Sequence, residues 1–495
     1  MTNEVDWTRL LNDGRRKKEI QREQGGDAVP ANQDSASIET RTEVERDYDR
    51  ILFSTPVRRL ADKTQVFPLD KNDSVRTRLT HSHEVSNLAR SIGTTLAFNF
   101  NVAANVENSK RNISALLASA GLAHDLGNPP FGHQGEGAIQ SWFLDNTASV
   151  LADLALEQHR QDFLLFEGNA QGFRLLTRLQ LINDDYGLDL THASLAALMK
   201  YPTPSDQIDK KHVAKKKHGF FASEQHVVNY VHKKTGLALG VRHPLAYVME
   251  ACDDIAYVVL DAEDAVKKGL ASFSDLIAYL KNAGANDPLV KKVIEESSKK
   301  HAEYQDAGLK LSPAELNDVS MQRFRVFAIG AMVGAATDAF RKYEVDFVAG
   351  TVAVPLLEKS TAETLRKTLK SFSFMHAYKH RSVLEVELQG YNVIRGLMDF
   401  LWAAIVDRVE PKNPASDRKR PFTKFVYSRI SENYRRIFEN PSEIDNELPM
   451  RYRECILLTD MISGMTDSFA VNLHEELLGL KGAFDPKTVF KNVDK

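Results

Sequence analysis

His124 and Asp125 close an apolar stretch and run straight into Leu126-Gly127-Asn128-Pro129-Pro130-Phe131-Gly132-His133. An imidazole beside a carboxylate suits a divalent cation that takes nitrogen and oxygen donors, and the Gly/Pro turn then presents a second histidine. A His-Asp dipeptide is a weak signal by itself, and a satisfied structural pair is its plainer reading. Two further segments raise it. In Arg78-Leu79-Thr80-His81-Ser82-His83 two histidines stand at the start of an amphipathic stretch, with Thr80 or Ser82 as the expected N-cap. Spacing leaves open whether His81 or His83 faces a pocket. Around Cys252, the residues Asp253, Tyr257 and Asp261 recur at i, i+4 and i+8 and so share one helix side, bordering an apolar stripe. A carboxylate next to a buried stripe needs a counter-charge, because burying it unpaired is costly; a cation is one answer and an arginine the other. Two histidines and two aspartates make a mixed set suited to Mg²⁺, Mn²⁺ or Fe²⁺, with open positions in which water is acidified. Cys252 falls in the stripe and is read as core.

The elements that must hold these groups are helices. Val85, Leu88, Ala89, Ile92, Leu96 and Phe100 trace one stripe over 83–100, residues 114–126 form an Ala/Leu-rich helix, and 244–268 carries a stripe through Leu245, Val248, Cys252, Ile255 and Val259. Further helices are predicted around 321–343, 387–408 and 451–479, with a charged, proline-bearing loop near 409–421. With no repeat and little strand pattern, the predicted fold is mostly α. Residues 12–42 are polar and are read as a mobile arm, and Lys210, Lys211, Lys215, Lys216 and Lys217 as a basic linker. A hydrophobic content of 43% with 26% charged residues describes an ordinary soluble protein, and a net charge of −3 provides no global basic field for nucleic acid. Two cysteines cannot make a disulfide framework and suit a reducing cytoplasm. No signal peptide is expected with Glu4, Asp6 and Arg9 in the first ten residues, and the uncharged run 326–337 is too short to span a bilayer.

Longer stretches carry a resemblance. RRLADKTQVFPL, RTRLTHSHEV, AHDLGNPPFGHQGE, FEGNAQGFRLL, LMKYP, EACDDIAYVVLDAEDAV and ELQGYNVIRGL, in that order, resemble the bacterial deoxyguanosinetriphosphate triphosphohydrolases, members of the HD-domain phosphohydrolases, from about residue 40 onward. The resemblance implies an HD-domain helical core over 43–275, helical elaborations over 276–495 that complete the nucleotide pocket and oligomer contacts, and an arm over 1–42. It implies hydrolysis of dGTP to deoxyguanosine and triphosphate by water attack at the α-phosphorus, with Mg²⁺ or Mn²⁺ held by His81, His124, Asp125 and Asp253. It selects His81 over His83. His133 and Glu136 match the catalytic pair, and a histidine held by a carboxylate can carry a proton during attack or departure.

For the substrate, the resemblance places Tyr257 and Asp261 against the deoxyribose, Gln65 at the 3′ hydroxyl and Val66 beside the base. Arg78, Lys200 and Tyr201 would meet the triphosphate, and Glu387 would read guanine's N1 and N2 donors. Alone, Glu387 reads as a solvated helix residue and Gln65 as a turn residue. A further phosphate arginine is sought among Arg323, Arg325 and the Arg418, Lys419, Arg420 cluster. Relatives of this kind form oligomers, commonly hexamers, and some bind single-stranded DNA. The alternatives keep the metal site with a broader dNTP, nucleotidase or cyclic-nucleotide substrate, or make the chain a nucleic-acid-binding regulator built on its basic runs.

Overall fold

The computed structural model describes residues 5–24, 39–67, 75–306 and 311–490. Among them there is no sheet, only isolated bridges such as Thr64 with Thr77, and the fold is mostly α as the periodicity predicts. The helices that matter to the site are α1 (Glu43–Leu52), α2 (Arg78–Phe98), α3 (Ser109–Ala123), α4 (Gly132–Asp145), α5 (Pro244–Lys267), α6 (Pro313–Lys342), α7 (Arg381–Val406), α8 (Met450–Ser463) and α9 (Asp467–Leu480). Local rules start them: Thr42 and Glu45 form a capping box on α1, and Ser312 and Glu315 another on α6 with Pro313 at its first position.

Two apolar cores result. One joins α2, α3, α5 and α6 through residues such as Val85, Ile92, Leu116, Val248 and Phe324; the other joins α4, α7, α8 and α9 around Trp142 and Trp402, whose rings lie 6.0 Å apart edge to face. Both draw residues from either side of position 276. Helix α3 serves the two in turn, with Leu116, Leu117 and Ala120 in the first core and Leu122 and Ala123 in the second. Its last turn therefore delivers His124 and Asp125 to the seam between them. The approach of α3 to α2 depends on Gly121, where a Cβ would stand 2.7 Å from the Ser86 Cα.

Three expectations are corrected. Helix α2 starts earlier than Thr80 or Ser82: Thr77 is its N-cap, Thr80 reaches back to the Thr77 N–H, and Ser82 is buried a turn further in. The Arg78 N–H on the Lys63 carbonyl (3.0 Å) sets that start, a pairing made only by folding. The single helix expected over 451–479 is broken into α8 and α9. Gly464 lies where a Cβ would come 2.6 Å from the Tyr434 hydroxyl, and Thr466 accepts the Phe469 N–H to begin a new helix. Finally, Trp7–Leu10 and Arg16–Glu23 are helical and anchored where a mobile arm was expected. The segment is tied down by pairing and burial: Arg15 meets Asp47 at 2.7 Å and Glu43 at 2.6 Å, and Leu10 and Leu11 enter the cores. The rest of that arm, 25–38, lies outside the described residues. Among the described residues no helix is long and apolar enough to cross a membrane.

His243 fastens this amino-terminal segment to α5. Its Nδ1 accepts the Leu245 N–H (3.1 Å) as N-cap, while Nε2–H donates to the Leu10 carbonyl (3.1 Å). Burial lowers its pKa to about 4, against the small opposing effect of the Leu10 carbonyl. The unfolded chain, with an ordinary histidine near 6.5, takes up the proton first, so this contribution is whole above pH 6.5 and lost as pH falls towards 4. At pH 5 the loss is about 2 kcal/mol. Urea denaturation at pH 7.5 and pH 5 should show His243→Asn losing less stability on acidification than the wild type, by about that amount; equal losses would refute this assignment.

Candidate active site

Four segments converge on the seam. His124 is the C-cap of α3, and its Nδ1–H donates to the Gly121 carbonyl at 2.7 Å. That bond occupies Nδ1–H and leaves Nε2 as the nitrogen facing the other groups, and this buried nitrogen has no hydrogen-bond partner. The Asp253 Oδ1 lies 3.4 Å from it and 3.3 Å from the His81 Nε2. His81 and His124 meet edge to face with ring centroids 5.4 Å apart. His81 is buried on the inner side of α2, whereas His83 is exposed on an outward groove. Among the described residues, His81, His124 and Asp253 have ligand atoms that all lie within 4.8 Å of one another. Ligands about 2.1 Å from one ion at right angles stand about 3 Å apart, so this spacing and donor set fit a divalent cation.

Asp125, the fourth expected ligand, stands beside that trio rather than in it. Its Oδ2 is 3.5 Å from the His124 Nε2 but accepts from Arg78 at 2.6 Å, and its Oδ1 accepts from Asn128 at 2.6 Å. Arg78 uses Nη1 for Asp125, while its Nε has no hydrogen-bond partner. Electrostatics follow the geometry. Burial opposes the charge on His124, yet Asp125 and Asp253 outweigh it and raise this histidine to about 9, so its Nε2 holds a proton that a bound cation would displace. Burial would raise Asp125, but Arg78 and then His124 and His81 hold it at about 2. Asp253 is held well below the carboxylate range because Lys200 and His124 outweigh its burial. Both carboxylates are ionised at neutral pH, and they concentrate negative charge on the spot towards which the His124 Nε2 points.

Beyond the turn, Phe131 and Gly132 both take left-handed conformations (φ 62° and 56°) at the start of α4. A Cβ at Gly132 would sit 2.5 Å from the Arg78 Nη2, and the Phe131 ring fills the place of any side chain at Gly390 of α7. The turn brings out His133, whose side chain is 85% exposed and whose Nδ1 meets the buried Glu136 Oε2 at 2.9 Å. Glu136 Oε1 accepts the Gly168 N–H at 2.9 Å. The Glu136 hydrogen bond raises the His133 pKa; Glu136 is lowered although burial opposes it, chiefly by His133.

The remaining expected residues surround these groups unevenly. Lys200 lies 3.2 Å from Asp253, while the Tyr201 ring is buried beneath Arg242 at 5.5 Å and acts as packing. The Tyr257 ring stacks on Tyr378 (6.1 Å), whose hydroxyl donates to the buried Asp261. Val66 enters a small apolar cluster with Phe67, Ala265 and Val383, and the Gln65 Oε1 is buried with no hydrogen-bond partner. Glu387 accepts from Gln134 at 3.3 Å near His133. Sequence reading missed Tyr378 altogether and took Lys217 for linker, although Lys217 pairs with Glu167 (2.7 Å) within electrostatic reach of Glu136. The candidate phosphate arginines are spent elsewhere: Arg325 on Glu263, Arg420 on Asp407, Arg323 over Phe327 and Arg418 over Tyr427.

No family model matches the chain. It is 36% identical over 488 residues to the deoxyguanosinetriphosphate triphosphohydrolase-like protein of Listeria monocytogenes, covering 96% of this chain and 100% of that relative. It is 34% identical over 458 residues to the protein of that name from Synechocystis (89% and 94% covered). A probable deoxyguanosinetriphosphate triphosphohydrolase of Pseudomonas aeruginosa is 32% identical over 469 residues (88% and 93%).

Replacing His124 by alanine removes the one donor without a partner. Isothermal titration with Mn²⁺ should show at least a 100-fold loss of affinity while circular dichroism retains the helical signal; undiminished Mn²⁺ binding would reject the donor set.

Proposed function

The chain belongs to the deoxyguanosinetriphosphate triphosphohydrolase-like family, and on that premise we propose that it hydrolyses dGTP to deoxyguanosine and inorganic triphosphate with Mg²⁺ or Mn²⁺. The observation that carries this reading is the buried, unpartnered His124 Nε2 aimed between His81 and Asp253. His81, His124 and Asp253 hold the cation, with Asp125 completing the set once Arg78 yields one of its oxygens. When bound, a divalent cation supplies positive charge to the α-phosphate and lowers the pKa of water.

The chain's own groups do the rest. His133, kept basic by Glu136 and open to the cleft, moves a proton to or from the reacting oxygens, and Glu136 keeps the ring aimed. Arg78, through the nitrogens not spent on Asp125, and Lys200 take the triphosphate charge, with Lys217 as a further cation nearby. Tyr257 and Asp261 hold the deoxyribose, a tyrosine ring there leaving no volume for a 2′ hydroxyl, and Gln65 takes the 3′ hydroxyl. Glu387 reads the guanine donors, with Val66 flanking the base. In this reading 43–275 forms the catalytic core and 276–495 completes the nucleotide pocket and the contacts of a homo-oligomer. The free, buried Cys252 and Cys455 suit a reducing cytoplasm. Binding of single-stranded DNA gains no support from the 418–420 cluster, whose arginines are engaged internally.

The deciding experiment incubates the full-length protein with each dNTP and with GTP, in Mn²⁺ or Mg²⁺, and identifies the phosphate product. Triphosphate from dGTP, with little from GTP, is expected; monophosphate or pyrophosphate as product would overturn the reading. Glu136→Gln should lower kcat about 100-fold, and Tyr257→Ala should narrow the preference for dGTP over GTP.

A further inference from the structure

The corner between α8 and α9 lies far along the chain from every residue assigned above, yet it touches two of the segments that carry them. Asp467, the first residue of α9, is 2% exposed. Its Oδ1 accepts the Phe131 N–H at 3.0 Å, and its Oδ2 accepts the Thr64 N–H at 2.9 Å and the Thr64 hydroxyl. Beside it the buried Lys63 ammonium donates to the Asn128 carbonyl at 2.6 Å and to the Ser463 carbonyl at 2.7 Å. A helix does not need this from its first residue, since Thr466 already caps α9 and an acid at that position need only face the helix dipole. Asp467 instead turns away from its own helix, and its two oxygens meet the start of α4 and the strand-like segment before Gln65.

We propose that Asp467 is a positioning residue for His133, holding the left-handed Phe131–Gly132 turn in place through the Phe131 N–H and so aiming the imidazole into the cleft. This rests on His133 being the proton carrier of the proposed reaction. The turn needs such a hold. Gly132 takes positive φ freely, but the bulky Phe131 does so at a cost on the order of 1–3 kcal/mol and persists there only where the surroundings over-determine it. The Asp467 carboxylate supplies the polar part of that constraint and Phe131, packed on Gly390, the apolar part. With the hold removed, α4 relaxes at its first turn and His133 drifts from Glu136. A displacement of about 1 Å at a reacting group is enough for a 100-fold loss of rate. The second oxygen fixes Thr64 and with it Gln65, so one carboxylate sets the proton carrier and a sugar contact in a common register.

The test compares wild type with Asp467→Asn as full-length proteins. An asparagine keeps one acceptor oxygen but cannot serve Phe131 and Thr64 together. Three quantities are measured: Mn²⁺ affinity, dGTP turnover, and the titration of His133 followed by NMR of ¹³Cε1-labelled histidine. His133 faces Glu136 on α4, Glu387 on α7, Arg78 on α2 and Lys217 on its loop, and none of these is altered. The expected result is a 10- to 100-fold fall in kcat with Mn²⁺ affinity retained, and a His133 titration shifted down towards that of an ordinary histidine. A variant with wild-type kcat and an unshifted His133 overturns the proposal, as does one whose Mn²⁺ affinity falls in step with its rate. If wild type releases no triphosphate from dGTP, the functional reading fails, and the titration of His133 in the two proteins still decides the positioning role. If Asp467→Asn does not fold, Asp467→Glu keeps the charge but moves both oxygens by a methylene and so off the Phe131 N–H; a smaller downward shift of His133 is expected, and no shift rejects the proposal.

Discussion

Everything at this site follows from one hydrogen bond, the His124 Nδ1–H on the carbonyl of Gly121. Of the two ring nitrogens, the end of α3 takes Nδ1–H. The other nitrogen is left buried, without a hydrogen-bond partner, and pointed at two carboxylates and a second imidazole. The helix thus orients the donor with its own backbone, and the donor keeps that orientation only as long as α3 ends where it does. Gly121 contributes twice: its carbonyl holds the ring, and its missing side chain lets α3 lie against α2, which brings His81 within reach.

Charge is arranged around that donor in layers. Asp253 answers to Lys200, and Asp125 to Arg78 and Asn128, so that neither acid is buried alone. Lys217 stands apart from this cluster, tethered to Glu167.

Much of this was legible in the residues. The 3.6-residue periodicity located α2, α3 and α5, and the i, i+4, i+8 spacing of Asp253, Tyr257 and Asp261 placed them on one side of α5. What escaped was whatever depends on contacts between distant segments. Thr77, Thr80 and Ser82 are all competent caps, and only the pairing of Arg78 with the Lys63 carbonyl chooses among them. The apolar pattern runs unbroken through Gly464, so the α8–α9 corner shows only as a glycine and a Thr-Asp pair, both easily absorbed into a longer helix. Tyr378 and Lys217 stand in segments with no chemistry of their own; folding alone brings them to Asp261 and the Glu136 pair. The polar amino-terminal segment misled for a related reason, since Arg15 has its acidic partners on α1 and Arg16 bonds the distant Thr177 and Tyr186 carbonyls.

The Phe131 ring seated on Gly390 carries a consequence for how relatives of this protein can diverge. Because aromatic ring and helix backbone touch without any side chain between them, α4 and α7 cannot slide past one another, and the distance from His133 to Glu387 is built in. If Glu387 reads the base as proposed, a change of base preference has to be written into side chains such as those at 134 and 387, while the backbone contact beneath them is kept.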